Sequence, residues 1–250
     1  MLEFCDVSVS IGRKTVLDGI SFALRPRKIT ALVGRNGSGK STLLGCVNQQ
    51  YAYGGQILFK QNNLAALSPR ERAKLVAYLP QSIPAPHIPA REMVAFGRNP
   101  YLDFSGRLTD ADWQLVEQAM ADADMLSVEA QFVDTLSGGE RQRAALAMLL
   151  AQNTPVAMLD EPTAHMDKSY EERFLRQLVQ LKQSREKTFL VVLHDLTAAV
   201  ACADDFVVLD AGKLLFSGTK EVCLDREVLE ATFDLKRYAM PDGTIFFSAK

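Results

Sequence analysis

The stretch KITALVGRNGSGKSTLLGCVNQ, residues 28 to 49, constrains the fold of this chain more than any other. An apolar run from Ile29 to Val33 leads into a glycine-rich turn, and Leu43, Leu44 and Val47 follow at the spacing of one helix face. The order predicts a buried strand, a loop and a helix. A plain glycine connector between strand and helix is the simpler alternative.

The glycines favour a loop that binds an anion. Gly34, Gly37 and Gly39 let backbone N–H groups point toward an anion, where Cβ atoms would obstruct the approach. Asn36 and Ser38 complete the loop, so we expect all five residues to contact a phosphate group.

The residues after the loop extend the phosphate pattern. The sequence G-x-x-x-x-G-K-[ST] is met from Gly34 to Ser41, with Thr42 next in the helix. Lys40 adds a positive charge at the positive end of the helix dipole. Ser41 would place a hydroxyl on a Mg²⁺ ion that bridges the outer phosphates of a nucleotide. The alternative is a lysine that is merely solvated.

The composition predicts a soluble globular chain. Hydrophobic residues make up 48% of the 250 residues and charged residues 23%, which suits one domain, 1–250, with an insertion. A formal net charge of −2 gives no bulk attraction to nucleic acid, and we expect no such partner.

The cysteines indicate a reducing compartment, and the amino terminus and apolar runs indicate no membrane-spanning segment. The four cysteines lack C-x-x-C spacing, so buried reduced thiols are the expectation. The amino terminus lacks the layout of a secretion signal, and no apolar run reaches the roughly 18 residues that span a bilayer. Any membrane role should therefore be peripheral.

Hydrophobic periodicity gives an outline of the fold. Residues 1 to 24 alternate like two antiparallel strands, and residues 153 to 203 alternate strand with helix, which predicts a parallel sheet. The proline-rich SIPAPHIPA predicts an extended connector into a helical insertion at about 85–152, in which Thr109 and Asp112 should cap one helix. A helix and a hairpin are expected at about 219–250.

Two acidic residues follow a buried strand in VAMLDEP. Asp160 and Glu161 should emerge at the sheet edge that holds the glycine loop. We expect Asp160 to be a magnesium partner and Glu161 to polarise the water that attacks a γ-phosphate. Adjacent acids in this position otherwise serve as a solvated turn or helix cap.

Two further polar side chains follow predicted strands. His194 comes after TFLVVL and could orient the attacking water or the general base. Gln81 follows Val76 to Leu79, and its amide could bind Mg²⁺ or that water. We therefore assign Glu161, His194 and Gln81 as candidate catalytic residues, with Ser41, Gln81 and Asp160 as candidate metal ligands.

A second glycine pair lies in LSGGERQR. Ser137 and Glu140 have capping-box spacing, so a well-started helix is the simpler interpretation. That interpretation does not require Gly138 and Gly139, which would let an anion approach the backbone closely. A second phosphate-binding site is therefore expected here.

The motifs occur in the order GRNGSGKST, YLPQS, LSGGERQR, VAMLDEP, AHMD and VVLHDL, and with them the chain resembles the ATP-binding subunits of ABC transporters. The resemblance implies a P-loop NTPase (RecA-like) α/β fold, with a parallel-sheet core, an antiparallel β subdomain and an inserted helical subdomain. It also implies ATP and Mg²⁺, and a nucleotide-binding role for Asp167.

The resemblance further implies a head-to-tail dimer. Ser137 and Gly139 of one copy would complete the ATP site built on Lys40 of the other, and closure would drive a transmembrane permease. The expected location is the cytoplasmic face of the bacterial inner membrane.

Within the family, AFGRNPYLDFSGRLTDADW, LHDLTAAVACADD and the tail YAMPDGTIFF are similar to importers of iron chelates such as ferric siderophores, served indirectly by a periplasmic solute-binding protein. Cobalamin, haem or a metal ion are alternative cargoes. A soluble ABC-type regulatory ATPase acting on ribosomes or DNA is the alternative of another class, and a P-loop kinase would leave LSGGERQR unexplained.

Some residues depart from the family pattern. Ile11 stands where the family usually has an aromatic residue for adenine stacking, which puts base preference in question. Glu140 replaces the commoner glutamine, and His165 and Met166 replace typical residues in AHMD.

Overall fold

A computed structural model describes residues 1–104, 106–164 and 167–249 of the chain. The expectations for His165 and Met166 lie outside the described residues.

The strands, in chain order, are β1 Leu2–Ile11, β2 Lys14–Ala23, β3 Ile29–Gly34, β4 Gly54–Phe59, β5 Asn62–Asn63, β6 Val76–Leu79, β7 Val156–Leu159, β8 Thr188–Val192, β9 Asp205–Asp210, β10 Lys213–Thr219, β11 Leu235–Ala239 and β12 Ile245–Ala249. The α-helices are α1 Lys40–Val47, α2 Pro69–Ala73, α3 Ala90–Ala95, α4 Asp110–Asp122, α5 Gly138–Ala151, α6 Lys168–Ser184, α7 Leu196–Cys202, α8 Lys220–Asp225 and α9 Val228–Phe233. Short 3₁₀ turns lie at Leu64–Ala66, Phe96–Tyr101, Leu126–Val128 and Val133–Thr135.

A six-stranded sheet in the order β10-β9-β3-β8-β7-β6 forms the centre of the molecule. The strands from β9 to β6 pair in parallel, and β10 joins β9 as an antiparallel edge. The predicted parallel-sheet core is therefore confirmed, including the strand Val76–Leu79 at its far edge.

Both faces of this sheet are buried, as an uninterrupted apolar strand sequence requires. Alternate residues of β3 and β8 enter different cores: Ala31 and Val191 pack with the helical segment, whereas Leu32 and Val192 pack toward α1 and the first strands. The central sheet thus holds the two halves of the fold together.

The amino-terminal strands form a separate four-stranded sheet in the order β2-β1-β4-β5, with antiparallel pairing throughout. The prediction of two antiparallel strands before residue 24 is confirmed. β4 begins with the pair Gly54-Gly55. Gly55 has a φ of 78°, and a Cβ there would lie 2.2 Å from the Asp6 carbonyl oxygen.

The segment from residue 90 to 151 is helical, and its helices begin where the sequence predicts. Capping boxes open α4 at Thr109 and α5 at Ser137. Before α3 the proline-rich connector is extended, and Pro89 forms an isolated bridge with Phe132. The connector therefore contacts the residues that precede α5.

The carboxyl-terminal extension consists of two short helices, α8 and α9, and the β11–β12 hairpin. The hairpin matches the prediction, whereas one helix was expected where two occur. Arg35 of the glycine loop donates a hydrogen bond from Nε to the Thr232 carbonyl oxygen, 2.9 Å away, so α9 touches the loop.

None of the helices in the described ranges is long and apolar enough to cross a membrane.

Candidate functional site

The glycine loop joins β3 to α1 and has little room for side chains at two of its glycines. A Cβ on Gly34 would lie 2.2 Å from the Leu209 carbonyl oxygen, and one on Gly39 would lie 2.5 Å from Leu17 Cδ2. Gly37 and Gly39 have positive φ values of 77° and 98°. The loop conformation therefore requires glycine at all three positions.

Lys40 is the first residue of α1 and is only 6% exposed. Its Nζ donates to the carbonyl oxygens of Gly34, at 2.9 Å, and Arg35, at 3.3 Å. Burial lowers the pKa of Lys40, while the nearby Glu161 and Asp160 carboxylates act in the opposite direction. The alternative of a freely solvated lysine is wrong, since the charge is held against the loop.

A cleft of about 390 Å³ opens beside the loop. It is lined by Lys14, Val16, Asn36, Gly37, Gly39, Lys40, Ser41, Thr42 and Glu161. Ser38 is not among these residues: it is 2% exposed, and its hydroxyl has no hydrogen-bond partner among the described residues. The Ser38 side chain is therefore not placed to contact an anion in the cleft, and its backbone N–H donates to the Arg35 carbonyl oxygen at 3.1 Å. Ile11 is 51% exposed.

Asp160 lies next to α1 in a buried position, 3% exposed. Ser41 Oγ donates to Asp160 Oδ1 at 3.2 Å, and the Tyr78 hydroxyl donates to Oδ2 at 3.3 Å. Sequence reasoning missed Tyr78. Its position depends on the pairing of two strands. Tyr78 pairs in register with Met158, and Met158 shares a strand face with Asp160 two residues later.

The donor set at this point suits Mg²⁺. The described residues contain no group of three or more His, Cys, Asp or Glu side chains that could hold a metal by themselves. Mg²⁺ needs no such cage, because it commonly binds one or two carboxylates together with substrate phosphates. Ser41 and Asp160 would hold the ion, which would neutralise phosphate charge when bound. Gln81, the third predicted ligand, is bonded to Glu161.

Three predicted catalytic residues meet at the carboxyl ends of three strands. His194 Nε2 lies 2.5 Å from Glu161 Oε1, and Gln81 Nε2 donates to Glu161 Oε2 at 2.6 Å. They follow β8, β6 and β7, whose parallel register places their ends at one sheet edge. Their catalytic roles remain predictions, but the proximity that those roles require is present.

Glu161 has an unusual backbone for a residue with a side chain. Its φ is +50°, in the left-handed region that costs non-glycine residues energy. Such strain often occurs at functional sites, where it fixes the direction of a side chain. Here Glu161 lines the cleft. When Gln81 or His194 moves away from the carboxylate oxygen that it contacts, that oxygen could accept a proton from water.

Ser137, Gly138 and Gly139 lie at the start of α5 and do not line this cleft. Ser137 Oγ donates to Glu140 Oε2 at 2.6 Å, and the Ser137 backbone N–H donates to the same oxygen at 2.9 Å. The Glu140 pKa is lowered by these bonds. The capping box explains Ser137 locally, but leaves the two glycines unexplained.

Among the described residues, no contact requires glycine at these two positions. A Cβ on Gly138 would meet nothing within 4 Å, and one on Gly139 would lie 3.5 Å from the Tyr170 ring, an ordinary van der Waals distance. Neither residue has a positive φ. The described residues thus give neither a packing reason nor a backbone reason for glycine at either position.

Asp167 occupies the N-cap of α6. Its carboxylate accepts from the Tyr170 backbone N–H at 3.0 Å and from Ser169 Oγ at 2.8 Å. These bonds lower the Asp167 pKa. The local geometry thus gives Asp167 a structural role, and its predicted nucleotide contact remains a prediction.

Replacing Asp160 by asparagine should stabilise the nucleotide-free protein. Burial raises the pKa of Asp160, and Glu161 adds to the shift against the hydrogen bonds from Ser41 and Tyr78. Ionising such a group costs folding free energy, so the cost is absent at acidic pH and grows as pH rises toward neutral. Thermal unfolding at pH 7 should show Asp160→Asn melting about 2 °C or more above the wild type.

The Asp167→Asn variant is the matched control with the opposite sign. A carboxylate whose pKa is lowered on folding stabilises the fold above its unfolded pKa and loses that effect as pH falls. Asp167→Asn should therefore melt at or below the wild-type temperature at pH 7. Equal melting shifts for both variants would contradict the assignment of buried charge at Asp160.

Comparison with known proteins identifies the family. Residues 17–164 match the family described as ABC transporter. A petrobactin import ATP-binding protein of Bacillus subtilis is 33% identical, over 94% of this chain and 93% of that protein. A hemin import ATP-binding protein of Chelativorans sp. is 36% identical, over 97% and 95% of the two chains.

A solved structure has the same fold. A metal-chelate type ABC transporter in an inward-facing conformation superposes with a TM-score of 0.84 at 23% identity, over 99% of this chain and 96% of that one. The family match covers most of the chain, and the two relatives match almost its full length. The chain therefore belongs to the ATP-binding proteins of the ABC transporter family.

Proposed function

We propose that this chain is the ATP-hydrolysing subunit of an importer that takes up a ferric siderophore across the bacterial inner membrane. The observation that carries the enzymatic part is the Glu161 carboxylate, held by His194 and Gln81 at the cleft that contains Lys40. A base at a phosphate-binding cleft suits hydrolysis of a γ-phosphate.

ATP would occupy the cleft with its phosphates on the loop from Gly34 to Lys40. Mg²⁺ would be held beside them by Ser41, Asp160 and Gln81. Glu161 would accept the proton of the attacking water, and His194 would keep the base and the water oriented. Gln81 contacts Glu161 directly, so the helical segment that follows Gln81 can respond to the nucleotide.

The site would be completed by a second copy of the chain. Gly138 and Gly139 are glycines that no contact within the described residues requires. Exposed N–H groups at a helix start form a natural anion site. In a head-to-tail dimer, Ser137 and Gly139 of each copy would close over the ATP bound at Lys40 of the other, with Asp167 nearby.

The dimer would act on a transmembrane permease from the cytoplasmic face, as a peripheral subunit. A periplasmic solute-binding protein would deliver the cargo to that permease. The movement that ATP drives would pass through the connector after Gln81, which bridges to Phe132 just before α5.

The proposed cargo is an iron chelate. One relative is named for petrobactin import, and the match extends over 94% of this chain and 93% of that protein. Haem is the second candidate, since the relative named for hemin import is 36% identical over 97% of the chain. The residues of the ATP site do not choose between them, because the permease and the solute-binding protein contact the cargo.

The Gly139→Ala variant should keep its stability and lose activity. An alanine Cβ fits at 3.5 Å from Tyr170 and favours the helix by up to about 1 kcal/mol. The melting temperature should stay equal or rise, whereas ATP hydrolysis should fall at least about tenfold because the Cβ obstructs the partner's phosphate. Gly54→Ala is the control, since a Cβ there meets only Ser8 O at 4.0 Å. Full activity of Gly139→Ala would remove the support for a shared site.

Two inactive variants should complement each other. Ser137→Arg blocks the partner's site, and Lys40→Ala disables the phosphate loop of its own chain. A mixed dimer would keep one site with both halves intact, so it should recover up to about half of the wild-type hydrolysis rate. Mixed dimers isolated with two affinity tags and still inactive would argue against the shared site.

The cargo is tested with the complete transporter. Purified permease, ATPase and solute-binding protein in liposomes should hydrolyse ATP faster with a ferric siderophore than with haem or cobalamin. Stronger stimulation by haem would redirect the cargo assignment.

The Glu161→Gln variant tests the catalytic base. In the same liposomes it should bind ATP without turnover. Turnover by Glu161→Gln at the wild-type rate would overturn Glu161 as the base.

A further inference from the structure

The ring of Tyr170, on α6, faces Gly139 at the start of α5. A Cβ on Gly139 would be 3.5 Å from both Cδ1 and Cε1 of this ring. From this contact, and resting on the proposed shared ATP site, we propose that Tyr170 is a positioning residue. It holds the Ser137–Gly139 turn in the orientation that completes the ATP site of the partner copy.

Two contacts fix the position of Tyr170 itself. Its backbone N–H donates to the Asp167 carboxylate at 3.0 Å, which anchors the first turn of α6. The Arg173 guanidinium lies over the same ring, with Cζ 5.9 Å from the centroid. The first contact fixes the Tyr170 backbone, and the second places a guanidinium of the same helix over its ring.

The contact between the two helices is close. The space bordered by Gly139, Arg143, Tyr170, Arg173, Phe174 and Gln177 amounts to about 10 Å³. That is at the lower limit for holding a single water molecule. The space between the ring and Gly139 thus holds at most one water molecule or a methyl group.

Core packing does not explain Tyr170. Its side chain is 44% exposed, whereas Phe174, one turn later on α6, is 3% exposed and belongs to the main core. An exposed ring contributes less burial free energy than Phe174 does. The position of the ring beside Gly139 is thus better explained by an effect on the orientation of the Ser137–Gly139 turn.

The arrangement connects two elements that we expect to face the partner's nucleotide. The Tyr170 backbone is bonded to the Asp167 cap and its ring faces Gly139, so the two elements would move together. Its effect should have a direction: loss of the ring should weaken the site that uses this chain's glycine turn, and spare the site that uses this chain's Lys40. A residue needed only for folding would weaken both.

Mixed dimers test this direction. One subunit carries Lys40→Ala, so the remaining site combines the partner's phosphate loop with the glycine turn of the Lys40→Ala subunit. Tyr170→Ala is then placed either in the Lys40→Ala subunit or in its partner, within the complete transporter. We expect kcat to fall about tenfold in the first arrangement and less than about twofold in the second.

Three controls accompany the measurement. Tyr170→Phe keeps the ring and should restore hydrolysis in the first arrangement. Tyr238→Ala removes a tyrosine of the same 44% exposure on the β11–β12 hairpin and should show no dependence on arrangement. Thermal unfolding of each subunit verifies folding, and Tyr170→Leu replaces Tyr170→Ala if the latter unfolds.

Ser137→Arg in the same two arrangements separates this proposal from the proposed function. If Ser137→Arg depends on the arrangement and Tyr170→Ala does not, the positioning role is overturned while the shared site stands. If neither variant depends on it, the shared site fails and the positioning role fails with it. Equal losses for Tyr170→Ala in both arrangements would indicate a purely structural residue.

Discussion

The parallel register of the central sheet is the constraint on which the site depends. β8 lies between β3 and β7, and β6 continues the ladder, so four strands deliver their carboxyl ends to one edge. The glycine loop, Gln81, Glu161 and His194 are the residues found there. A shift of one residue in any strand would turn its side chains to the other face and separate this group.

Charge burial is the second feature that organises the site. Lys40 and Asp160 are both nearly inaccessible, and burial disfavours the charged form of each, lowering one pKa and raising the other. The hydrogen bonds of Lys40 to loop carbonyls, and those of Asp160 with Ser41 and Tyr78, offset only part of the cost of burying these charges. Function is thus built into the fold at some cost in stability, as is common at catalytic sites.

Local sequence signals predicted most of the fold. The strand Val76–Leu79, the capping boxes at Thr109 and Ser137 and the terminal hairpin follow from periodicity and turn chemistry alone. The positive φ of Glu161 and the contact of Tyr170 with Gly139 could not be predicted in this way. Both arise from how distant segments pack, and no local pattern encodes them.

The contact between Arg35 and α9 makes the carboxyl-terminal extension part of the phosphate loop's support. The acceptor is a backbone carbonyl, that of Thr232, so the bond depends on the path of the chain and not on the identity of its side chain. Substitutions along α9 can therefore accumulate without breaking it. A chain shortened before residue 228 would lose the acceptor altogether, so the conformation of Arg35 depends on a segment almost 200 residues away in the sequence.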